Sequence, residues 1–169
     1  MRIVSLLILL SPKSLGLNFL PFLIIWNVGQ GQWTSYVTPS YCIHIDAGGE
    51  FYPKQVERWC SRKTNYVQIS HWDKDHYSFL YKIKRFGPMI QNLHSPLVTI
   101  YSTNRFKDKN SNSTIHYLKE VLFVGDSTIK AEKIWANLTL PKVKVLLVPH
   151  HGSQTSSSEY LLKHLPNLK

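Results

Sequence analysis

Acidic residues and cysteine are scarce in this sequence. Its 169 residues include 10 Asp and Glu against 20 Lys and Arg, which gives a formal charge of +10. A charge of this sign either attracts phosphate or anionic lipid, or simply keeps a basic protein in solution. Two cysteines, Cys42 and Cys60, are too few for a disulfide scaffold and do not form a CxxC metal-binding pair. Hydrophobic residues make up 43% of the chain, which excludes an extended disordered tail.

Long hydrophobic runs are missing as well. Residues 3–10 and 15–26 are mostly apolar, but neither run reaches the roughly 18 uninterrupted residues of a transmembrane helix. Residues 1–20 fit either a secretory signal or membrane anchor, with Lys13 where a signal peptide has a small residue, or short buried strands. We expect export to the cell envelope, or membrane association through the N-terminus, slightly more than a cytoplasmic location.

The remaining residues, 21–169, are predicted to form one α/β domain. Apolar strand-like runs end repeatedly in polar or glycine-rich loops, and segments with helical spacing lie between some of them. The predicted elements are a strand within 21–33, a hairpin within 35–49, strands at 66–70, 98–102, 114–118, 121–125 and 143–148, and helices at 53–62, 77–86 and 156–165. Because ligands bind where the strands of α/β sheets give way to loops, polar residues there are the functional candidates.

The strongest candidate segment follows the strand at 66–70. Four side chains able to bind a metal occur within the next six residues: His71, Asp73, Asp75 and His76. A loop at the end of a strand can curl such side chains around one ion, and a set of imidazoles and carboxylates suits zinc or manganese. A solvated polar loop is the alternative, and four potential ligands so close together make it the weaker interpretation.

Two further strand ends carry residues of the same kind. Asp126 follows an apolar strand and a glycine; its two oxygens could bridge two cations, although an ordinary turn is the commoner meaning of that pattern. The adjacent His150 and His151 also end an apolar strand, and neighbouring imidazoles point in different directions, so that one can bind metal while the other faces substrate. His44 lies within an apolar strand and is expected to be a packing residue.

Five motifs occur along the chain: VGQG at 28–31, IDAGG at 45–49, SHWDKDH at 70–76, VGDS at 124–127 and VPHHGS at 148–153. Together they resemble the metallo-β-lactamase fold, and in particular the soluble hydrolase domain of ComEC-type DNA-uptake competence proteins. HxDxDH in place of the commoner HxHxDH, together with PHHGS, is similar to this branch rather than to the β-lactamases themselves.

The resemblance implies a metallo-β-lactamase-like αβ/βα sandwich and a metal-dependent hydrolase with two divalent ions, Zn²⁺ or Mn²⁺. In the competence branch the domain is thought to degrade the DNA strand that is not imported, so single-stranded DNA is the expected substrate. The implied metal ligands are His71, Asp73, Asp75, His76, Asp126, His150 and His151, of which the last two are alternatives. The implied catalytic residues are Asp75, His150 and His151. Asp46 is implied to brace the ligand loop without touching metal.

The chain departs from that branch in several respects, of which two bear most on its function. Gln32 stands where its members usually carry Asp after VGQG. The members also continue beyond the HHGS helix into a strand and a motif resembling NxYGHP, whereas this sequence ends at Lys169, so a C-terminally truncated version of the fold is expected. The alternatives to a nuclease are a catalytically degenerate module that binds nucleic acid or a protein partner, and a hydrolase of another ester class.

Overall fold

The computed structural model describes residues 6–9, 20–91 and 96–169 as a mixed α/β protein with two sheets, which confirms the α/β class expected from the sequence. The chain divides into two compact units: Met1–Ile69 with Lys74–Leu93, and Ser70–Asp73 with His94–Lys169. Within the described residues, no helix has the length and apolar character needed to cross a membrane. Most of the N-terminal signal, anchor or strand segment, residues 1–20, lies outside the described residues; its strand Leu6–Leu9 and Leu20 are described.

The first unit contains a six-stranded sheet. Its strands, in chain order and in the order in which they pair, are β1 Leu6–Leu9, β2 Phe22–Ile25, β3 Thr34–Val37, β4 Tyr41–Ile45, β5 Thr64–Gln68 and β6 Met89–Gln91. Neighbours from β1 to β4 are antiparallel, and β4, β5 and β6 are parallel. Four of the five β4 residues are buried because β4 lies inside the sheet, which explains its nearly continuous apolar sequence.

Three helices complete the first unit: α1 Gln55–Cys60, α2 Lys74–Tyr77 and α3 Leu80–Phe86. One turn separates Val56 from Cys60 in α1, and both side chains enter the hydrophobic core. The structure joins Cys60 to Cys42 of β4 in a disulfide, with the two Cα atoms 5.9 Å apart. The pairing of the two cysteines was not predicted from the sequence, because they come close together only when α1 packs on β4.

A chain of hydrogen bonds crosses this core at His44, which is fully buried. Trp33 Nε1 donates to His44 Nδ1 at 3.1 Å, and since an indole N–H can only donate, Nδ1 accepts. Nε2 therefore carries the hydrogen and donates to Asn65 Oδ1 at 2.9 Å, while the Ser35 hydroxyl lies 2.7 Å from Nδ1. Burial lowers the pKa of His44 to about 4, although the hydrogen bond with Asn65 opposes the shift. The packing role predicted for His44 is confirmed.

The second unit contains a four-stranded sheet in the order β10, β9, β8, β7. The strands are β7 Val98–Tyr101, β8 Ile115–Leu118, β9 Val121–Phe123 and β10 Val145–Leu146. The pair β9 and β10 is parallel and the other pairs are antiparallel. Lys119 and Glu120 join β8 to β9 with φ values of 50° and 67°, the backbone of a two-residue hairpin turn that matches the strand twist. Two 3₁₀ turns, Asn110–Asn112 and Pro149–Gly152, belong to this unit.

The helices of the second unit are α4 Ile129–Trp135 and α5 Glu159–Lys163. The carboxylate of Glu132, which is fully buried in α4, accepts hydrogen bonds from the backbone N–H groups of Ser157 and Ser158 at 2.7 and 2.9 Å. The hydroxyl of Ser158 in turn accepts from the N–H of Leu161, which caps the start of α5. Helix α4 was not predicted from the sequence, because a buried acidic residue breaks its amphipathic pattern.

Candidate metal site

The start of the metal-ligand segment is tied to β8 within the second unit. The backbone N–H of Thr114 donates to the carbonyl of Ser70 at 2.8 Å, immediately before β8 begins. Gly125 packs against Ser70, and a Cβ atom at Gly125 would lie 2.6 Å from Ser70 Oγ. Because Gly125 also has a φ of +50°, a side chain there would be both crowded and strained. The VGD sequence therefore permits the close approach of the strand end to Ser70.

His71 is oriented by two serine hydroxyls. Its Nδ1 lies 3.1 Å from Ser70 Oγ and 3.3 Å from Ser113 Oγ, and the residue is only 5% exposed. When Nδ1 carries the proton and donates it to a hydroxyl oxygen, Nε2 presents its lone pair, the state in which histidine binds a metal. Ser113 Oγ also accepts the backbone N–H of Asp126 at 3.1 Å. One serine thus positions both His71 and Asp126.

A single carboxylate oxygen, Asp126 Oδ2, lies at the centre of the site. The Nε2 atoms of three histidines surround it, at 3.7 Å for His71, 3.7 Å for His151 and 3.8 Å for His150. These separations are too long for hydrogen bonds. Two donor atoms that each bind a zinc ion at about 2.0–2.2 Å with tetrahedral angles lie roughly 3.4 Å apart, close to the observed spacing. Each histidine nitrogen is therefore spaced from Asp126 Oδ2 as two ligands of one ion are.

The histidine pair sits on unusual backbone. His150 and His151 have φ values of 50° and 52°, inside the 3₁₀ turn that follows β10. Two consecutive non-glycine residues in the left-handed region cost about 1–3 kcal/mol each, and such strain is typical of sites where side-chain direction matters. His150 Nδ1 lies 2.9 Å from Thr155 Oγ1, and its Nε2 lies 3.2 Å from Asn110 Nδ2. The ring of His150 is therefore held at both nitrogen atoms.

Asp73 faces a histidine with one oxygen and a lysine with the other. Its Oδ2 lies 3.5 Å from His71 Nε2, while Oδ1 forms an ion pair with Lys109 Nζ at 2.8 Å. Lys109 also donates to the backbone carbonyl of Trp72 at 3.1 Å. Only Oδ2 of Asp73 is therefore directed toward the histidines.

The donor set of the second unit fits a divalent cation. It contains three imidazoles and two carboxylates, all on segments that hydrogen bonds hold in place. Nitrogen and carboxylate ligands together suit zinc and manganese, whereas an all-oxygen set would have suited calcium or magnesium. The structure thus brings five of the residues that the sequence singled out into one cluster: His71, Asp73, Asp126, His150 and His151.

The other predicted site residues belong to the first unit. Asp46 Oδ2 lies 2.9 Å from His76 Nδ1, and both side chains are fully buried. The glycine turn after Asp46 also holds the backbone of the ligand loop: Ala47 N–H donates to the carbonyl of His76 at 2.7 Å. Gly48 packs against Asp75, where a Cβ atom would come within 2.4 Å of the Asp75 carbonyl carbon. Asp46 and its turn therefore contact the Asp75–His76 part of the loop.

A second group of metal-binding side chains, Cys42, His44 and Cys60, lies close together in the first unit. Because both sulfur atoms are in the disulfide, they carry no thiolate, and this group does not hold a metal in the disulfide-bonded protein. The candidate ions therefore belong with the histidine and aspartate residues.

Several residues that organise the site were not predicted from the sequence as contributors: Lys109, Asn110, Ser113 and Thr155. None of the four carried a distinctive signal in the sequence. Hydroxyl, amide and ammonium groups are common on surfaces, and these residues act through positions that only the folded chain defines.

Part of the chain is similar to a characterised sequence. Over 79 residues, or 44% of this chain, it is 40% identical to Recombination protein 2 of Haemophilus influenzae. The matched segment amounts to 10% of that protein's length. No protein-family model matches the chain, and no solved structure matches it. These comparisons support a relationship to the family of Recombination protein 2 over part of the chain.

Proposed function

We propose that this chain is a metal-dependent hydrolase that cleaves phosphodiester bonds of single-stranded DNA in a competence-related role. The observation that carries the proposal is the arrangement of three histidine Nε2 atoms at 3.7–3.8 Å from Asp126 Oδ2. The partial similarity to a protein named for recombination supports a role that involves DNA. The formal charge of +10 suits a polyanionic substrate.

The proposed fold is a metallo-β-lactamase-like αβ/βα sandwich with two ions, Zn²⁺ or Mn²⁺. The two mixed sheets and the order of the five motifs support it. Asp75 and His76 are proposed as further ligands because they follow Asp73 almost directly in the chain. Asp126 is proposed as the bridging ligand, since its two carboxylate oxygens can each bind one cation.

Divalent ions bound at such a site supply Lewis-acid activation of a phosphoryl group and of water. The chain's own residues hold the histidine rings of the site and orient them. Ser70 and Ser113 fix the ring of His71 through Nδ1. We assign metal binding to His151 and proton transfer to His150, because His150 is held at Nδ1 by Thr155. In its protonated form His150 would keep that hydrogen bond and donate a proton from Nε2 to the leaving oxygen.

The proposal includes a location in the cell envelope or outside the cell, with membrane association through the N-terminus. The buried disulfide between Cys42 and Cys60 supports the envelope or extracellular location, because such bonds form and persist in oxidising compartments and are rare in reducing ones.

A catalytically degenerate, DNA-binding module is the second candidate. Two contacts favour it: Lys109 occupies one oxygen of Asp73, and the amide of Asn110 lies 3.2 Å from His150 Nε2. Protein groups at these atoms compete with a metal ion or a substrate. In this version the basic surface binds nucleic acid, and binding persists when metals are removed.

Nuclease assays with an Asp126→Asn variant test the proposal. The exchange keeps the size of the side chain but removes the charge that would hold the ions, so we expect cleavage of single-stranded DNA to fall by more than about a hundredfold. The assay uses purified protein with Mn²⁺ or Zn²⁺ added after chelation. Glu159→Gln is the matched control, because it removes the same charge from an exposed position of α5 and should leave the rate unchanged.

The proposed hydrolase activity would be overturned if wild-type protein bound neither metal and gained no cleavage when Mn²⁺ or Zn²⁺ was supplied. If the same protein then still binds DNA in chelator, the degenerate module is the correct alternative. Cleavage of other esters but not of DNA would retain the metal site and replace the substrate class.

A further inference from the structure

The outer face of α3 combines aromatic rings with cations in a way that the metal site does not use. Helix α3 buries Ile83, while Tyr81 and Arg85 lie one turn apart on the opposite side. Tyr81 is 52% exposed, a high value for a tyrosine ring. Together with Lys82 and the neighbouring Tyr52, these residues form a surface called here the α3 patch.

The cations of the α3 patch rest on its aromatic rings. Lys82 Nζ lies 5.2 Å from the ring centre of Tyr52 and 5.2 Å from that of Tyr81. Arg85 Cζ lies 5.5 Å from the ring centre of Tyr81. All three distances fall within the range of cation–π attraction. The rings therefore restrict the two flexible side chains before an anion binds. The two side chains then lose less conformational entropy when they contact the anion.

The positive charge of the patch is not neutralised by carboxylates. Across the part of the chain that the structure describes, neither Lys82 nor Arg85 forms an ion pair with Asp or Glu. The sequence contains no acidic residue from 76 to 107. One carboxylate contacts the patch: Glu57 accepts a hydrogen bond from the hydroxyl of Tyr52 at 2.7 Å. The patch thus presents net positive charge beside a partly open aromatic ring.

This chemistry fits single-stranded nucleic acid better than other anionic partners. Unpaired bases stack on aromatic rings, and phosphates pair with nearby cations. A lipid surface would call for apolar side chains that enter the bilayer, and the solvent-facing residues of α3 include no exposed aliphatic one. Double-stranded DNA hides its bases from a flat protein surface. The α3 patch therefore matches a strand whose bases are accessible.

We propose that the α3 patch binds single-stranded nucleic acid, with Tyr81 stacking on a base while Lys82 and Arg85 contact phosphates. The inference deepens the proposed function, on which it rests for the class of polymer, but it requires no metal ion. Binding and cleavage are therefore separable by experiment.

The test measures fluorescence anisotropy of a labelled oligothymidylate with the full chain in EDTA. We expect Tyr81→Ala to weaken binding about tenfold, because one stacked base is lost, and Tyr81→Phe to bind like wild type. The double variant Lys82→Gln/Arg85→Gln should flatten the slope of log K against log salt by about 1.4 between roughly 50 and 200 mM salt, since two phosphate contacts disappear. Lys133→Gln, which removes an exposed cation of α4, is the control and should lower affinity far less.

Two outcomes would overturn the inference, and two further ones separate binding from cleavage. Wild-type affinity and salt slope in the Tyr81 and cation variants, with unchanged thermal unfolding, would overturn the inference. If the Tyr81 and cation variants lose binding to phosphatidylserine vesicles but keep oligonucleotide binding, the patch binds lipid, and the inference is overturned. Asp126→Asn should keep the full oligonucleotide affinity while it loses cleavage. If wild-type protein shows no cleavage but the patch variants bind the oligonucleotide more weakly than wild type, the proposed hydrolase is wrong and the inference about the α3 patch is retained.

Discussion

At the scale of single residues, buried polar side chains divide into those that build the core and those that build the site. His44 belongs to the core: its two ring nitrogens are satisfied by Trp33 and Ser35 on one side and by Asn65 on the other. His71 belongs to the site, because only Nδ1 faces hydroxyl groups while Nε2 faces carboxylate oxygen atoms. The hydrogen-bond partner of each nitrogen therefore separates a packing histidine from a ligand histidine.

His44 makes stability depend on pH. Its pKa is about 4 in the folded protein and 6.5 in the unfolded chain, so the unfolded chain binds more protons between those values. Stability is therefore lost as the pH falls through this window. We expect the unfolding free energy to drop by about 3 kcal/mol more in wild type than in His44→Gln between about pH 7.5 and pH 4. Urea denaturation at several pH values measures it, and parallel curves for the two proteins would contradict it.

The sequence was sufficient to identify residues whose chemistry is rare in ordinary loops. Imidazoles and carboxylates at strand ends pointed to His71, Asp126 and the histidine pair, which the structure gathers together. Ser113 and Thr155 were not predicted, because a hydroxyl group carries no distinctive pattern and acts here only through its distance to an imidazole. Positioning residues of this kind become visible only in the fold.

At the scale of elements, the predicted strands and helices agree with the structure where hydrophobic periodicity was clear. The helices α1 and α5 lie within the predicted segments, and the hairpin of β3 and β4 begins one residue before its predicted segment. The strand β5 begins and ends two residues before the predicted strand at 66–70. The segment 143–148 contributes only the two paired residues of β10, and β6 was not predicted, since short edge strands contain too few residues for periodicity to appear. Pairing of Cys42 with Cys60 depends on α1 packing on β4, which local sequence does not encode.

That disulfide should contribute measurably to stability. It joins β4 to α1 across a sequence separation of 18 residues, and a closed loop of that size removes enough chain entropy to stabilise the fold by about 3 kcal/mol. We expect the double variant Cys42→Ala/Cys60→Ala to unfold at a correspondingly lower denaturant concentration. Reductant should lower the midpoint of wild type and leave the double variant unchanged. Equal midpoints for oxidised wild type and the variant would show that the bond does not stabilise the first unit.

At the scale of the whole molecule, several of the few acidic residues lie in or near the candidate site. Although the chain has only 10 Asp and Glu, Asp73 and Asp126 lie in the candidate site and Asp46 contacts His76. Carboxylates repel a phosphodiester, whereas the +10 charge of the chain attracts it. Bound divalent cations would remove this local repulsion, so a basic protein with an acidic centre is suited to a metal-dependent reaction on a polyanion.

Metal binding should therefore stabilise the folded chain. A ligand that binds only the folded state, present at about 100 times its dissociation constant, adds about 2.7 kcal/mol. For a chain of this size that corresponds to a rise in Tm of about 5–10 °C, which thermal unfolding with and without Zn²⁺ or Mn²⁺ measures. Asp126→Asn should abolish the rise and EDTA should reverse it. His164→Ala should retain it, because His164 is exposed and hydrogen-bonds the carbonyl of Tyr160 at the end of α5. An equal rise in Asp126→Asn would mean that the ions bind elsewhere, because substitution of the central carboxylate would then leave their affinity untouched.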